Sequence, residues 1–186
     1  MENVIKEILK HIGENPEREG LKGTPERVVR MWKEIFRGYD PKQKPRVAVF
    51  KNGSDGLTYN QMIIDTGDFY SHCEHHMVPF FGKYWFAYVP SKDGNIIGLS
   101  KVARIVDYHA AKLQIQERLV NNIVTHIWNE LSKDATEPLG MCLVMEGEHL
   151  CKTMRGVKKK GKMKTSFIKG IFNETQVRNE FLNLIK

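Results

Sequence analysis

The chain has 186 residues, of which 41% are hydrophobic and 27% charged; this is enough for one domain with a hydrophobic core and excludes a disordered or fibrous protein. No apolar run approaches the length of a membrane span, and the N-terminal segment carries acidic residues where a signal peptide would be basic. Two of the three cysteines lie close to histidines, which suits a metal better than disulfides, so we expect a cytoplasmic protein without membrane association.

Two amphipathic helices are predicted at the start of the chain. Residues 3–12 place isoleucine and leucine on one face, and a second helix begins at Thr24, which precedes a proline, and extends to Gly38. Arg27 and Arg30 lie near the N-terminal end of the second helix, where the helix dipole disfavours cations. They are either two solvated arginines or part of a site for an anion.

Short strands are predicted next, after a linker that contains two prolines. They cover residues 47–50, 57–64 and 80–89. The last of them carries aromatic and branched residues on both faces, so we expect it to be covered on both sides. A hairpin turn at 92–95 leads to a short returning strand.

The most specific chemical motif, CEHHMVPFF, lies between two of these strands. Cys73 and His76 are three residues apart, so in one helical turn or a tight loop they can chelate one ion, while His75 points elsewhere. Cys151 is the best candidate for a third ligand, with His149 two residues earlier on the same face of a predicted strand. Two thiolates and an imidazole suit zinc and leave a fourth position for water, as in catalytic sites.

A closed Cys2His2 site is the main alternative, with His75 or His149 as the fourth ligand. Such a site would only stabilise the fold. The adjacent histidines do not match the usual spacing of zinc fingers. A chance cluster of core histidines and a buried thiol is the remaining alternative. Cys142 lies in an apolar run and is predicted to be a core residue.

Two further helices follow. Ser100 is a suitable N-cap for the first of them, with Lys101 and Arg104 on one exposed face at its start. A helix N-terminus with two basic side chains can bind phosphate, although many helices carry such residues without a ligand. The second helix begins at about Glu117.

The last part of the chain is predicted to contain a strand pair and a helix. A strand at 141–145 leads toward His149, residues 165–171 are its predicted hairpin partner, and 176–185 form an amphipathic helix. The chain has no acidic residue between 152 and 164, where it is strongly basic. This run either binds RNA or a polyphosphate or forms a solvated hairpin, and its lack of aromatic residues argues against single-stranded nucleic acid.

The order of elements predicts an α+β fold with an antiparallel sheet. Helices come first, then a strand pair, two helices, a second strand pair and a closing helix. We expect an N-terminal helical region at 1–40 and a catalytic unit at 41–186.

Five motifs resemble the GTP cyclohydrolase I family of the zinc-dependent type. In chain order they are CEHHMVPF, IIGLSKVARIV, LQIQERL, EGEHLC and MRGV, and the similarity extends from Thr24 to FLNLI near the C-terminus. The resemblance implies a T-fold subunit, with helices packed on one face of the sheet, in a ring-shaped homodecamer of two pentamers with active sites between subunits. It also implies that GTP and water become 7,8-dihydroneopterin triphosphate and formate, with no nucleic-acid partner.

The resemblance also implies a role for each residue of the chemical motif. One zinc ion per subunit would be held by Cys73, His76 and Cys151, and it would activate water for attack on guanine C8. His149 would protonate guanine N7. His75 would assist proton transfer during ring opening and the later rearrangement of the ribose.

Further positions match the family's substrate-binding residues. Glu117 would accept hydrogen bonds from guanine N1–H and the exocyclic amine, and Gln116 would stand beside it. The triphosphate would be bound by Ser100, Lys101, Arg104 and Arg155, with Arg27 and Arg30 reaching it from a neighbouring subunit.

The chain departs from the family's common residues at several positions that are neither metal nor catalytic positions. Arg30 replaces a frequent lysine and His109 a frequent phenylalanine, and Ala111, Val120 and Lys152 are also unusual. These changes bear on packing, on the subunit interface and on regulation rather than on the chemistry.

Two alternatives differ from this reading in activity. A nitrile reductase of the same fold, acting on a 7-deazaguanine base with NADPH, needs a cysteine nucleophile, and its motif is not present. A zinc-stabilised RNA-binding module using residues 152–164 would leave Glu117, Lys101 and Arg104 unexplained. The choice between zinc and iron stays open, as does the use of the product in folate, tetrahydrobiopterin or 7-deazaguanine synthesis.

Overall fold

The computed structural model describes residues 1–186 and contains six α-helices, three short 3-10 helices and seven strands. The helices are α1 (Glu2–His11), α2 (Thr24–Ile35), α3 (Leu99–Ala110), α4 (Gln116–Leu131), α5 (Leu150–Thr153) and α6 (Thr175–Leu184). The strands are β1 (Val49–Lys51), β2 (Ile63–Cys73), β3 (Pro79–Val89), β4 (Asn95–Ile97), β5 (Leu113–Gln114), β6 (Gly140–His149) and β7 (Lys162–Gly170). None of the helices combines the length and the apolar character needed to cross a bilayer.

Five strands form the main sheet, in the order β5-β2-β3-β6-β7. All neighbours are antiparallel except β5, which runs parallel to β2, and β1 and β4 form a separate two-stranded sheet. The α+β fold with an antiparallel sheet is therefore confirmed. In the register of the sheet, Phe80 stands opposite both Ser71 and His149, so Cys73 and His149 end their strands at the same end of the sheet.

The main core lies between one face of this sheet and helices α3 and α4. Tyr84, Phe86 and Tyr88 alternate along β3 toward that side, and each is at most 2% exposed. Ile105 of α3 and Ile123 of α4 belong to the same cluster and are completely buried. Because α4 packs on β6 and β7, its first turn is held close to the end of β6 that carries His149.

The opposite face of the sheet is partly covered by α6. Ala87 and Val89 of β3 pack there with Phe172 and with Phe181 of α6. The expectation that helices cover one face only is therefore wrong for α6, although it holds for α3 and α4. The physical reason is the apolar composition of β3 on both faces, which requires cover on both sides.

Several element boundaries differ from the prediction. β2 begins at Ile63 and extends to Cys73, so most of the predicted strand at 57–64 lies in the preceding loop. β4 pairs with β1 rather than returning along β3. Cys151 lies in the short helix α5, so the expectation that it shares a strand with His149 is wrong.

Two facing histidines connect α3 and α4. His109 Nε2 lies 3.0 Å from His126 Nδ1. Burial lowers the pKa of both side chains, and the neighbouring His126 adds to the effect at His109, whose pKa falls to about 3. The positive charges of Lys44 and Lys112 also lower both pKa values, and Glu130 opposes this at His126. The fold therefore holds both imidazoles neutral at neutral pH.

We expect the stability of the fold to decrease as the pH falls from about 6.5 toward 3. The unfolded chain takes up a proton at His109 near its ordinary pKa of about 6.5, whereas the folded chain resists it, so the full stability is present only above that pH. In His109→Phe the urea midpoint, measured at fixed protein concentration, should depend less on pH, and the same change at the exposed His11 is the control. Equal pH dependence in His109→Phe and the original protein would contradict the assignment.

Candidate active site

The CEHH motif lies in the tight turn between β2 and β3. The Cys73 N–H donates to the Val78 carbonyl at 2.9 Å, and the Met77 N–H donates to the Cys73 carbonyl at 2.8 Å. Met77 closes the turn with a left-handed φ of 55°. The turn brings the side chains of Cys73 and His76 together, as their spacing predicted.

Cys151 reaches this turn from the end of β6. The potential ligand atoms of Cys73, His76 and Cys151 all lie within 4.8 Å of one another. Burial, followed by the neighbouring Cys73 thiol, raises the pKa of Cys151. His75 is exposed and its Nδ1 lies 3.7 Å from Cys73 Sγ, but it does not belong to the group of ligand atoms that all lie within 4.8 Å of one another.

The donor set of this cluster fits a zinc ion. Zinc prefers thiolate and imidazole ligands, and donor atoms within 4.8 Å of one another can share one ion at ordinary ligand distances of about 2.0–2.3 Å. No fourth cysteine, histidine or carboxylate joins the cluster. The three side chains brought together do not form the closed Cys2His2 arrangement, and three potential ligands are the number found in catalytic zinc sites.

His149 is fixed in position by Gln116 and Phe80. Its Nε2 lies 2.9 Å from Gln116 Oε1, and its ring stacks on Phe80 with centroids 4.5 Å apart and planes inclined by 6°. The Gln116 amide nitrogen donates to main-chain carbonyls of β6 and β7 and to the Thr165 hydroxyl. Because the amide nitrogen of Gln116 donates to these acceptors, the atom that faces His149 is the amide oxygen, which can only accept. We therefore assign the proton to Nε2 of His149.

The structure separates the roles of Gln116 and Glu117 at the start of α4. Gln116 is 1% exposed, and its carboxamide bonds to groups of β6 and β7 and to His149. Glu117 is exposed. Burial lowers the pKa of His149, the negative charge of Glu117 opposes this, and the positive charge of Lys152 adds to the lowering. The motif QERL indicated the importance of both residues but not the inward direction of the first.

The phosphate-binding candidates of α3 lie in its first two turns. The N-cap position is occupied by Gly98 and not, as predicted, by Ser100. Ser100 and Arg104 are exposed and Lys101 is half-buried. This helix start combines free N–H groups with two cations, an arrangement that favours phosphate.

The remaining arginine candidates lie in two places. Arg155 belongs to the segment after α5, and its Nη1 lies 2.9 Å from His76 Nε2, directly beside the metal cluster. Arg27 and Arg30 are exposed on α2 and have local partners only: Arg27 donates to the Thr24 hydroxyl at 3.4 Å, and Arg30 lies 3.5 Å from the carboxylate four residues earlier. Within one chain, therefore, only Arg155 is seen to join the cluster.

The basic run near the C-terminus is partly neutralised. Lys162 and Lys164 are on β7, where their Nζ atoms lie 2.7 and 3.0 Å from the Glu146 carboxylate of β6. Lys152, Arg155 and the lysines at 158–160 stay exposed outside the sheet. Two of the seven cations of the run are therefore neutralised within the sheet, which weakens the RNA-binding alternative only for that part of the run.

Comparison with known proteins gives one family match and one remote structural match. A family model described as GTP cyclohydrolase I matches residues 1–186. A solved structure of the archaeosine synthase QueF-Like in the apo form is 9% identical, with a TM-score of 0.45 over 59% of this chain and 93% of that chain.

Two curated relatives match over the full length of the chain. GTP cyclohydrolase 1 of Caldanaerobacter subterraneus subsp. tengcongensis is 47% identical over 189 residues, and that of Pelotomaculum thermopropionicum is 44% identical over 190 residues. Each match covers 100% of this chain and 95% of the relative. By these full-length matches and the match to the family model, the chain belongs to the GTP cyclohydrolase I family.

Proposed function

We propose that the protein is a zinc-dependent GTP cyclohydrolase I that converts GTP and water to 7,8-dihydroneopterin triphosphate and formate. The observation that carries this proposal is the convergence of Cys73, His76 and Cys151 within 4.8 Å, with the positioned His149 two residues from the last of them. A family member with this donor set and this imidazole has the groups that hydrolysis at guanine C8 requires.

The metal would be held by Cys73, His76 and Cys151, one ion per subunit. A zinc ion with three protein ligands supplies Lewis acidity, which lowers the pKa of water to about 7. The chain contributes the arrangement of the ligands: the β2–β3 turn supplies two of them and the end of β6 leads to the third. Neighbouring strands of one sheet carry these segments, so the sheet itself brings the three donors together.

His149 is the proposed proton donor to guanine N7. Its Nε2–H is engaged by Gln116, so Nδ1 is the atom left to exchange a proton with the substrate, and Nδ1 donates it from the imidazolium form, in which both ring nitrogens carry a proton, leaving the neutral Nε2–H ring behind. Stacking on Phe80 prevents the ring from turning away. Protonation of N7 makes C8 electrophilic, which is where water must add. His75, exposed on the same turn as Cys73, is the proposed second proton carrier for ring opening and the ribose rearrangement.

The triphosphate is proposed to lie between α3 and the metal cluster. Ser100, Lys101 and Arg104 would bind it at the helix start, and Arg155 would bind it beside the cluster. Arg27 and Arg30 would reach it from a neighbouring subunit, which accounts for cations near the start of α2 that have local partners only. This assignment implies a ring-shaped oligomer, and we propose a decamer of two pentamers.

Glu117 is the proposed selector of guanine. A carboxylate can accept two parallel hydrogen bonds, and guanine offers N1–H and the exocyclic amine, whereas adenine has an acceptor at N1. Glu117→Ala should lower kcat/KM for GTP by about 10²-fold or more, because two hydrogen bonds to a charged group are lost, and it should reduce the preference for GTP over ATP.

The test of this role is competition between GTP and ATP, with turnover followed by formate release. Glu117→Gln, which keeps the size but removes the charge, should behave similarly to Glu117→Ala, and Glu180→Ala at an exposed position of α6 is the matched control. Selectivity unchanged from that of the original protein would rule out Glu117 as the guanine selector.

A further inference from the structure

Three consecutive residues at the start of α4 engage three different parts of the site. Gln116 bonds to His149 at the end of β6, and Glu117 is exposed as the proposed base selector. Arg118 forms an ion pair with Glu74, which follows Cys73 directly in the CEHH motif. The first turn of α4 is thus connected to both segments that carry the metal ligands.

The contact between Arg118 and Glu74 is a bidentate ion pair. Arg118 Nη1 lies 2.5 Å from Glu74 Oε2, and Nη2 lies 3.0 Å from Oε1, across 44 residues of sequence. Two parallel bonds fix the relative direction of the two groups as well as their distance. The main chain repeats this connection, because the Glu74 N–H donates to the carbonyl of Gln114, two residues before α4 begins.

The pair is distinct from the groups assigned to substrate and metal. Neither side chain belongs to the metal cluster, and each carboxylate oxygen of Glu74 accepts one hydrogen bond from the guanidinium. The side chains are 31% and 45% exposed for Glu74 and Arg118, and pairs with such exposure contribute little to global stability. The effect of the Glu74–Arg118 pair is instead local. It connects the β2–β3 turn that carries Cys73 and His76, which we call the metal turn, to the helix that presents Glu117.

We propose that Arg118 and Glu74 are positioning residues that hold the metal turn in register with the guanine-binding end of α4. This inference rests on the proposed function. When guanine is bound by Glu117, the distance from its C8 to the metal turn depends on how the start of α4 is connected to that turn. Because misplacement of reacting groups by about 1 Å can cost about 10²-fold in rate, loosening this connection should slow the reaction while leaving binding of GTP largely intact.

The experiment is a double-mutant cycle with Glu74→Gln and Arg118→Met in the zinc-loaded protein. Each single variant should lower kcat by about 10- to 100-fold with KM for GTP changed by less than about 3-fold, as expected for lost alignment rather than lost binding. The double variant should be no slower than the single ones, because both remove the same contact. Arg118→Lys should retain an intermediate rate, since it keeps the charge but not the bidentate geometry.

Two further measurements separate positioning from other roles. Calorimetric affinity for GTP in the metal-free variants should equal that of the metal-free original protein, and zinc content should be unchanged in the loaded variants. The exposed pair Glu14 and Arg18, with an Nε to Oε2 distance of 2.7 Å, provides the control variants Glu14→Gln and Arg18→Met, which should keep full kcat.

Unchanged kcat in the single variants would overturn the inference. So would a double variant whose loss of kcat equals the product of the two single losses. Weaker affinity of the metal-free variants for GTP would also overturn it, because it would mean direct contact with GTP. Failure of the proposed function has a different signature: the original protein itself, loaded with zinc, would release no formate from GTP.

Discussion

Cys151→Ala is expected to abolish both metal binding and formate release. The variant keeps Cys73 and His76, but two ligands do not hold zinc against dialysis as three do. The loss of metal affinity should exceed the roughly 10- to 100-fold that removal of an outer partner of a ligand costs. Metal analysis after dialysis, together with a formate assay, measures both effects.

The matched control is Cys142→Ala. Cys142 is 2% exposed on the face of the sheet that α6 covers, where it packs with Phe172 and Phe181. Burial raises its pKa to about 12, so it is a neutral core residue. This variant should be less stable but should keep its zinc and its activity. A full zinc complement in Cys151→Ala would show that the ligand assignment is wrong, whereas loss of zinc in Cys142→Ala would show that metal binding depends on core packing.

His149→Ala is expected to keep its zinc and lose turnover by about 10²- to 10⁴-fold, the usual contribution of a positioned acid or base. The imidazole is not part of the metal cluster, so metal content should not change. Steady-state kinetics and metal analysis on the same sample give the two values, with His11→Ala on α1 as the control for loss of an imidazole far along the chain. Near-normal turnover in His149→Ala would exclude it as the proton donor.

The parts of the site that could be predicted from sequence are those set by local geometry. The three-residue spacing of Cys73 and His76 determines that one tight turn can bring both donors together. The hairpin of β6 and β7 and the helices α1, α2 and α6 also follow from short-range patterns and lie within a few residues of the predicted positions.

The length of β2 could not be predicted, because its inward face gives little apolar signal. Gly67 leaves room for the ring of Tyr84, which would lie 2.9 Å from an added Cβ, and the Ser71 hydroxyl is satisfied by the Ala110 carbonyl at 2.8 Å. Only Ile63 and Phe69 on that face have the large apolar side chains that a strand pattern requires, and Ile63 stands at the very start of the strand. Tertiary contacts, rather than composition, make this segment a strand.

Contacts between distant segments were also beyond the sequence. The inward direction of Gln116 depends on acceptors from β6 and β7, and the pair of Glu74 with Arg118 depends on the packing of α4 beside the metal turn. The motifs predicted a set of site residues, but they did not indicate which partner each one contacts. The roles of Arg27 and Arg30 depend on a second subunit, so they stay predictions.

The most direct test of the proposed activity is to incubate the zinc-loaded protein with GTP. Formate and, after oxidation, the fluorescent pterin are measured in the same reaction, and we expect both products in equal amounts. Formate alone would mean that the ring is opened but not rebuilt, which contradicts the full reaction. Neither product, in a sample with a full zinc complement, would contradict the proposed activity itself.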